Sequence, residues 1–196
     1  RLEANGVLVL NITSAPGSGK TALLEATIPA LSPEFETAVV VGDLQTTRDA
    51  ERVEGVAAAV TQINTEGGCH LSATQVSDAL DGLPLAELDL LIIENVGNLV
   101  CPSGFDLGEH LRVAMLSVPE GADKVAKYPT LFQPADVILL NKMDLAEVLE
   151  YDASIVEDDL ARINTRAPLF KLSAKTGEGM EAWLDWLRGE FATRRK

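Results

Sequence analysis

Basic residues are scarce in this chain, with sixteen Lys and Arg against thirty Asp and Glu and a net charge of −14. A DNA or RNA partner needs a basic face along its phosphates, so the balance argues against nucleic acid. It suits attraction of cations or of a basic partner. Cysteine is nearly absent. Two cysteines in 196 residues cannot make a disulfide framework, and with no secretion signal they read as reduced thiols in a cytoplasm. No apolar run approaches the roughly 18 residues that cross a bilayer, so no membrane role is expected. Signal peptide, internal repeat, low-complexity tract and linker are all missing from the pattern. The chain opens on Arg1 rather than Met, so an N-terminal motif of the natural protein would lie outside what is read. What remains is ordinary for a globular protein: 46% hydrophobic and 23% charged residues, and a length that suits one domain, 1–196, with a sizeable core.

Apolar runs alternate with amphipathic stretches. Val7–Thr13 (VLVLNIT), Thr37–Val41, Ala59–Asn64, Asp89–Glu94 (DLLIIE), Leu111–Val118, Asp136–Leu140 (DVILL) and Leu169–Leu172 read as strands. Helices are expected from Thr21 to about Leu31, before Ser32-Pro33, and from a cap at Thr46 or Thr47 through DAERVEGV. Further helices are expected over Ser72–Leu80, with Ser72 as cap, over Asp152–Asn164 and over Met180–Phe191. NVGNLVCPSGFDLG reads as loop, and EGADKVAKYPTLFQPA as loop with one short helical turn. Strands that are apolar throughout and alternate with helices predict an open, mostly parallel sheet with helices on both faces, an α/β fold of the P-loop NTPase kind.

Ser14-Ala-Pro-Gly-Ser-Gly-Lys-Thr21 lies between the first strand and the first helix. The strict phosphate-loop pattern wants Gly where Ser14 stands, and the other positions fit. The glycines let backbone N–H groups close around phosphate oxygens at a helix N-terminus. The nucleotide-contacting set is then Gly17, Ser18, Gly19, Lys20, Thr21 and Ala22, with Lys20 reaching the β- and γ-phosphates and the Thr21 hydroxyl binding Mg²⁺. Asn141-Lys142-Met143-Asp144 closes the DVILL strand. A carboxylate at Asp144 accepts the N1–H and 2-amino hydrogens of guanine and repels the N1 lone pair of adenine, which favours GTP/GDP over ATP. Ser173-Ala174-Lys175 follows a later strand, where a second base-contacting loop belongs. Asp43 and Glu94 close two strands, and carboxyl ends of strands converge on the ligand crevice. With Lys20 they are the catalytic candidates, for Mg²⁺ held directly or through water and for orienting the attacking water. Asp49 is a weaker candidate that reads equally as a first-turn helix acid.

GDLQTTRDAER at 42–52, GGCHL at 67–71, ENVGNLVCP at 94–102, EGADKVAKYP at 120–129 and NKMDL at 141–145 together resemble the HypB family, GTPases of the SIMIBI type that help insert nickel into nickel–iron hydrogenase. The likeness covers nearly the whole chain. The related urease GTPase family, UreG, carries a Cys-Pro-His motif and a Glu-Ser-Gly-Gly strand end, and neither is present. Departures from the family pattern are Ser14 for the first loop glycine, Pro119 for Thr, and Val125-Ala126 for Pro-Leu. No Cys-rich or His-rich motif precedes Val7.

The resemblance implies that Cys69, His70 and Cys101 bind Ni²⁺ or Zn²⁺, and the residue chemistry supports it. Thiolate and imidazole suit these ions far better than Mg²⁺ or Ca²⁺. A glycine-softened loop lets adjacent Cys and His turn to one ion. Cys69 lies near the expected helix start, where a thiolate would be favoured. Two or three ligands leave a shell incomplete, which a symmetric homodimer would complete. Cys101 sits seven residues past Glu94, on a loop of the kind that the γ-phosphate orders. The bland reading keeps Cys101 as a small buried hydrophobe. His110, Trp183 and Trp186 read as structural, and Lys124 and Lys127 either as solvated charges or as groups reaching a dimer partner's nucleotide. By resemblance the partners are a HypA-type nickel chaperone and the hydrogenase large subunit. No arginine finger is evident, so slow intrinsic GTP hydrolysis is expected. The alternatives are a regulatory GTPase switch with structural Cys and His, a metal store, or a UreG-like nickel GTPase for another enzyme.

Overall fold

The computed structural model describes residues 1–43 and 48–194. The expected caps at Thr46 and Thr47 lie outside the described residues. Along the chain run β1 (Leu8–Ser14), α1 (Lys20–Leu31), β2 (Thr37–Asp43), α2 (Arg48–Glu54), β3 (Ala59–Asn64), α3 (Ala73–Ala79), β4 (Leu90–Glu94) and β5 (Leu111–Ser117). Then follow α4 (Lys124–Lys127), α5 (Pro129–Phe132), β6 (Val137–Asn141), α6 (Ala153–Ile163), β7 (Leu169–Lys171) and α7 (Met180–Arg194). The seven strands form one sheet in the order β3-β2-β4-β1-β5-β6-β7, and every pairing is parallel.

Period-two alternation in each strand sorts its side chains onto two faces. Leu8, Leu10 and Ile12 of β1 join Val39, Val41, Leu90 and Ile92 beneath α1, α2 and α7. The opposite face holds two separate clusters. Val7, Val9, Ala38, Val40, Leu91 and Ile93 pack under α3 through Val76. Ala114, Leu116, Ile138 and Leu140 pack under α5 and α6 through Phe132, Val156 and Leu160. Between these clusters β1 carries Asn11, which is buried. Helix α1 buries Leu23, Leu24, Thr27, Ile28 and Leu31, a stripe at helical spacing. Helix α7 buries Trp183, whose Nε1–H donates to Thr27 Oγ1 at 3.1 Å.

Three segments differ from expectation. The span expected to be loop after β4 contains a 3₁₀ turn at Cys101–Gly104. The segment after β5 forms two short helices, α4 and α5, where one turn is expected. Strand β1 runs one residue later, so that Ser14 is its last residue and pairs with Met115. Strand β1 lies between β4 and β5, with β2 and β3 beyond β4 and β6 and β7 beyond β5, so the strand order reverses at β1, the arrangement that leaves a crevice at the carboxyl ends.

Candidate functional site

The phosphate loop springs from β1 and ends at Gly19, whose φ of 97° lies in the left-handed region. A Cβ there would stand 2.6 Å from Asn141 Nδ2, so only glycine lets the loop approach β6. Asn141 Nδ2 donates to the Ser18 carbonyl at 2.9 Å, and Lys142 Nζ to the Gly17 carbonyl at 2.6 Å. The Ser18 hydroxyl lies 2.6 Å from Glu120 Oε1, which also accepts the Ser117 hydroxyl at 2.7 Å. The loop is therefore braced from β6 and from the segment after β5. Ser14 completes it in place of glycine: as a strand residue it needs no special backbone, and its hydroxyl oxygen accepts from Lys20 Nζ at 3.1 Å.

At the base end, Asp144 Oδ1 accepts the Ser173 hydroxyl at 2.7 Å, and the Ala174 N–H donates to Asn141 Oδ1 at 3.0 Å. The two loops singled out from sequence thus meet and hold one another, with the exposed Lys175 beside them. Lys142 sits between strand and turn with φ 62°.

Glu94 ends β4 in register between Ile12 of β1 and Val41 of β2. Its Oε1 accepts the Thr21 hydroxyl at 2.9 Å, while Oε2 is buried without a hydrogen-bond partner. Burial pushes its carboxyl up to about 7, against the pull of the Lys20 ammonium and the Thr21 hydrogen bond. Burial also lowers the Lys20 ammonium, opposed first by Glu94. An orphaned carboxylate oxygen beside a hydroxyl is a hard-oxygen set, and it fits Mg²⁺. Asp43 ends β2, and its carbonyl accepts the Thr65 N–H at 3.0 Å. Asp49 lies in the first turn of α2, 3.6 Å from Arg52, as an ordinary helix acid would.

The Cys69–His70 pair sits on the loop between β3 and α3. Cys69 Sγ lies 3.6 Å from His70 Nδ1, and the His70 ring stacks on Phe105 at 3.8 Å. The Cys101 thiol is raised, first by its hydrogen bond with the Cys69 thiol. The two thiols are therefore neighbours although they lie on different loops. Among the described residues no group of three or more His, Cys, Asp or Glu is set to hold a metal ion, so the three side chains form close pairs rather than a closed shell. Helix α3 begins at Ala73, four residues past Cys69. Helix α3 is closed by a capping box in which Ser72 Oγ accepts the Gln75 N–H and Gln75 Oε1 accepts the Ser72 N–H.

Among the controls, His110 Nδ1 accepts the Val9 N–H at 3.0 Å, a structural role, and burial lowers its pKa. Trp183 and Trp186 stack at 5.6 Å on the core side of α7. Lys127 pairs with Asp123 on the surface. Sequence reading missed Asn11, Asn95, Asn98 and Glu120. The signal for Asn11 was available, because a polar side chain inside an apolar strand needs a buried partner. The others depend on which loops meet.

Residues 8–171 match the family described as CobW/HypB/UreG, nucleotide-binding domain. The hydrogenase maturation factor HypB of Azotobacter vinelandii is 48% identical over 194 residues, 99% of this chain and 64% of that protein. The chain thus spans less than two thirds of the length of such curated relatives. A crystal structure of HypB from Helicobacter pylori in complex with nickel is similar with a TM-score of 0.93 at 42% identity, covering 98% of this chain and 91% of that one. The hydrogenase maturation factor HypB from Archaeoglobus fulgidus gives 0.90 at 43% identity, covering 97% and 93%.

Proposed function

The chain belongs to the HypB branch of the CobW/HypB/UreG nucleotide-binding family, and from that premise we propose that it is a GTP-hydrolysing metallochaperone that carries nickel or zinc and supports nickel insertion into a nickel–iron hydrogenase. The phosphate-loop N–H groups and Lys20 bind the β- and γ-phosphates, and Asp144 with the Ser173–Lys175 loop selects guanine. Thr21, Asp43 and Glu94, directly or through water, would hold Mg²⁺, which neutralises charge on the phosphate oxygens. Glu94, with its free Oε2, orients the attacking water. No arginine finger is assigned, so turnover is slow and the cycle acts as a timer.

The observation that carries the metal half of the reading is the meeting of the chain's two thiols, with an imidazole 3.6 Å from Cys69 Sγ. Soft donors in an open arrangement suit an ion that must leave again. Val100 and Phe105, exposed apolar residues on either side of Cys101, favour completion of the shell across a second copy of the chain. The recipients are a HypA-type nickel chaperone and the hydrogenase large subunit, in the cytoplasm. Size exclusion with metal analysis on the wild type and Cys69→Ala, each with GDP and a non-hydrolysable GTP analogue, tests the site. Metal content should fall in the variant, and unchanged content would sink the assignment.

A further inference from the structure

We propose that Asn95 is the positioning residue through which the phosphate end of the site and the Cys69–His70 loop are coupled. The proposal rests on the reading above that both ends bind their ligands, and it concerns what joins them.

Asn95 follows Glu94 and is 1% exposed. Its backbone N–H donates to the Ile12 carbonyl at 3.0 Å. Its side-chain oxygen accepts the Val96 N–H at 2.9 Å and the Leu71 N–H at 3.2 Å, and its Nδ2 donates to Asn11 Oδ1 at 3.2 Å. Leu71 lies two residues beyond Cys69, so one buried amide ties the end of β4 to the loop that carries the thiol. Leu71 is itself fully buried against Gly42, where a Cβ would stand 2.8 Å from Leu71 Cγ. The loop is thus pinned at two points, one beside Glu94 and one beside Asp43.

The next residues extend the link. Gly97 packs on the phosphate loop, where a Cβ would stand 2.9 Å from Pro16 Cα. Asn98 Oδ1 accepts the Cys101 N–H at 3.1 Å and the Val100 N–H at 2.8 Å. Within the stretch 94–98, Glu94, Asn95, Gly97 and Asn98 therefore touch Thr21, Leu71, Pro16 and Cys101 in turn. Beside the Cys101 turn lies only a small cavity of about 20 Å³, lined by Asn11, Thr13, Pro102 and Phe105 among others.

A buried amide is costly to leave unpaired, so the link resists partial slippage. When phosphate oxygens and Mg²⁺ draw on Glu94, Asn95 either carries Leu71 with it or releases it. Two discrete arrangements of one buried contact are what energetic coupling between sites requires. The Asn11–Asn95 pair also stands in the gap between the two apolar clusters of that face, where nothing in the core demands a polar pair.

The test measures Ni²⁺ affinity of the full chain with GDP and with a non-hydrolysable GTP analogue, in the wild type, Asn95→Ala and Cys69→Ala. The wild type should show a ratio between the two states in the range of about 5- to 150-fold usual for coupled sites, and Asn95→Ala should bring it to within about 2-fold. A merely structural amide would shift both affinities together and leave the ratio intact, which would overturn the proposal. The wild-type and Cys69→Ala arms report separately on the metal site itself: nickel binding that ignores Cys69 refutes the site rather than the coupling. Should Asn95→Ala not fold, hydrogen exchange on the wild type decides. The Leu71 amide should exchange at rates differing by more than about 5-fold between the two nucleotides, and equal rates overturn the proposal.

Discussion

Glu94 carries a consequence that can be read without any ligand. Its carboxyl sits at about 7 in the fold against a usual 4.5, because burial outweighs Lys20 and Thr21. The folded state holds this proton to higher pH than the unfolded chain does. Its contribution to stability is therefore fully present below the unfolded value and is lost as pH rises toward 7. In nucleotide-free and metal-free protein, Glu94→Gln removes the charging step. Relative to the wild type, the variant should gain stability from about pH 5 to about pH 8, by up to about 3 kcal/mol in chemical denaturation. A difference that stays flat with pH would contradict the buried carboxyl. The same variant should lose GTP turnover, separating stability from chemistry at one residue. At Asp144, replacement by Ala removes the acceptor proposed for guanine and takes from the buried Ser173 hydroxyl its acceptor. The preference for GTP over ATP should fall by about 30- to 150-fold, as for loss of a charged hydrogen-bonded pair. Competition binding with the two nucleotides would show it, and an unchanged preference would refute the assignment of the base loop.

Among the elements, β2 and β4 matter most, because they lie side by side next to β1 and bear Asp43 and Glu94 at their carboxyl ends. Each end also grips the Cys69–His70 loop: β2 through the Thr65 hydrogen bonds to Asp43 and the Gly42–Leu71 contact, β4 through Asn95. Gly42→Ala would place a methyl group against Leu71 Cγ, and overpacking of this kind costs about 1–3 kcal/mol. Leu71 is fully buried, so the strain should appear as displacement of the loop. Nickel affinity should drop while GTP affinity holds to within about 3-fold. Titrations of both ligands would check this, and equal losses of both would mean that the loop and the phosphate site are not separable in this way. The bracing of the phosphate loop by Asn141, Lys142 and Glu120 has the same logic. Base loop, phosphate loop and the segment after β5 form one hydrogen-bonded unit.

For the whole molecule, a charge of −14 and the open arrangement of Cys69, His70 and Cys101 proposed above as soft ligands point the same way. Two acidic copies repel, so self-association has to come from a bound cation and apolar contacts rather than from net charge. Val100 and Phe105 supply the apolar part beside Cys101. Nickel should therefore shift the chain toward a dimer in analytical ultracentrifugation, and Cys101→Ala should abolish the shift at equal protein concentration. A monomer at saturating nickel would exclude a shared shell. Among the described residues no helix is long and apolar enough to cross a membrane.

Sequence alone determined the parallel α/β order, the glycine-rich loop after β1 and the places of the NKMD and SAK loops. These signals are local: runs of apolar residues, glycines at fixed offsets, and side-chain chemistry that needs no neighbour to be recognised. It placed β3 and α3 correctly as well, because alternation and a Ser72–Gln75 capping box are both written within a few residues. Tertiary structure decided the rest. That the Cys101 thiol meets Cys69, that Asn95 reaches Leu71, and that Glu120 braces Ser18 across 102 positions of chain depend on which loops converge at the carboxyl ends of the strands. The raised carboxyl of Glu94 is likewise a property of burial, which no spacing of residues encodes.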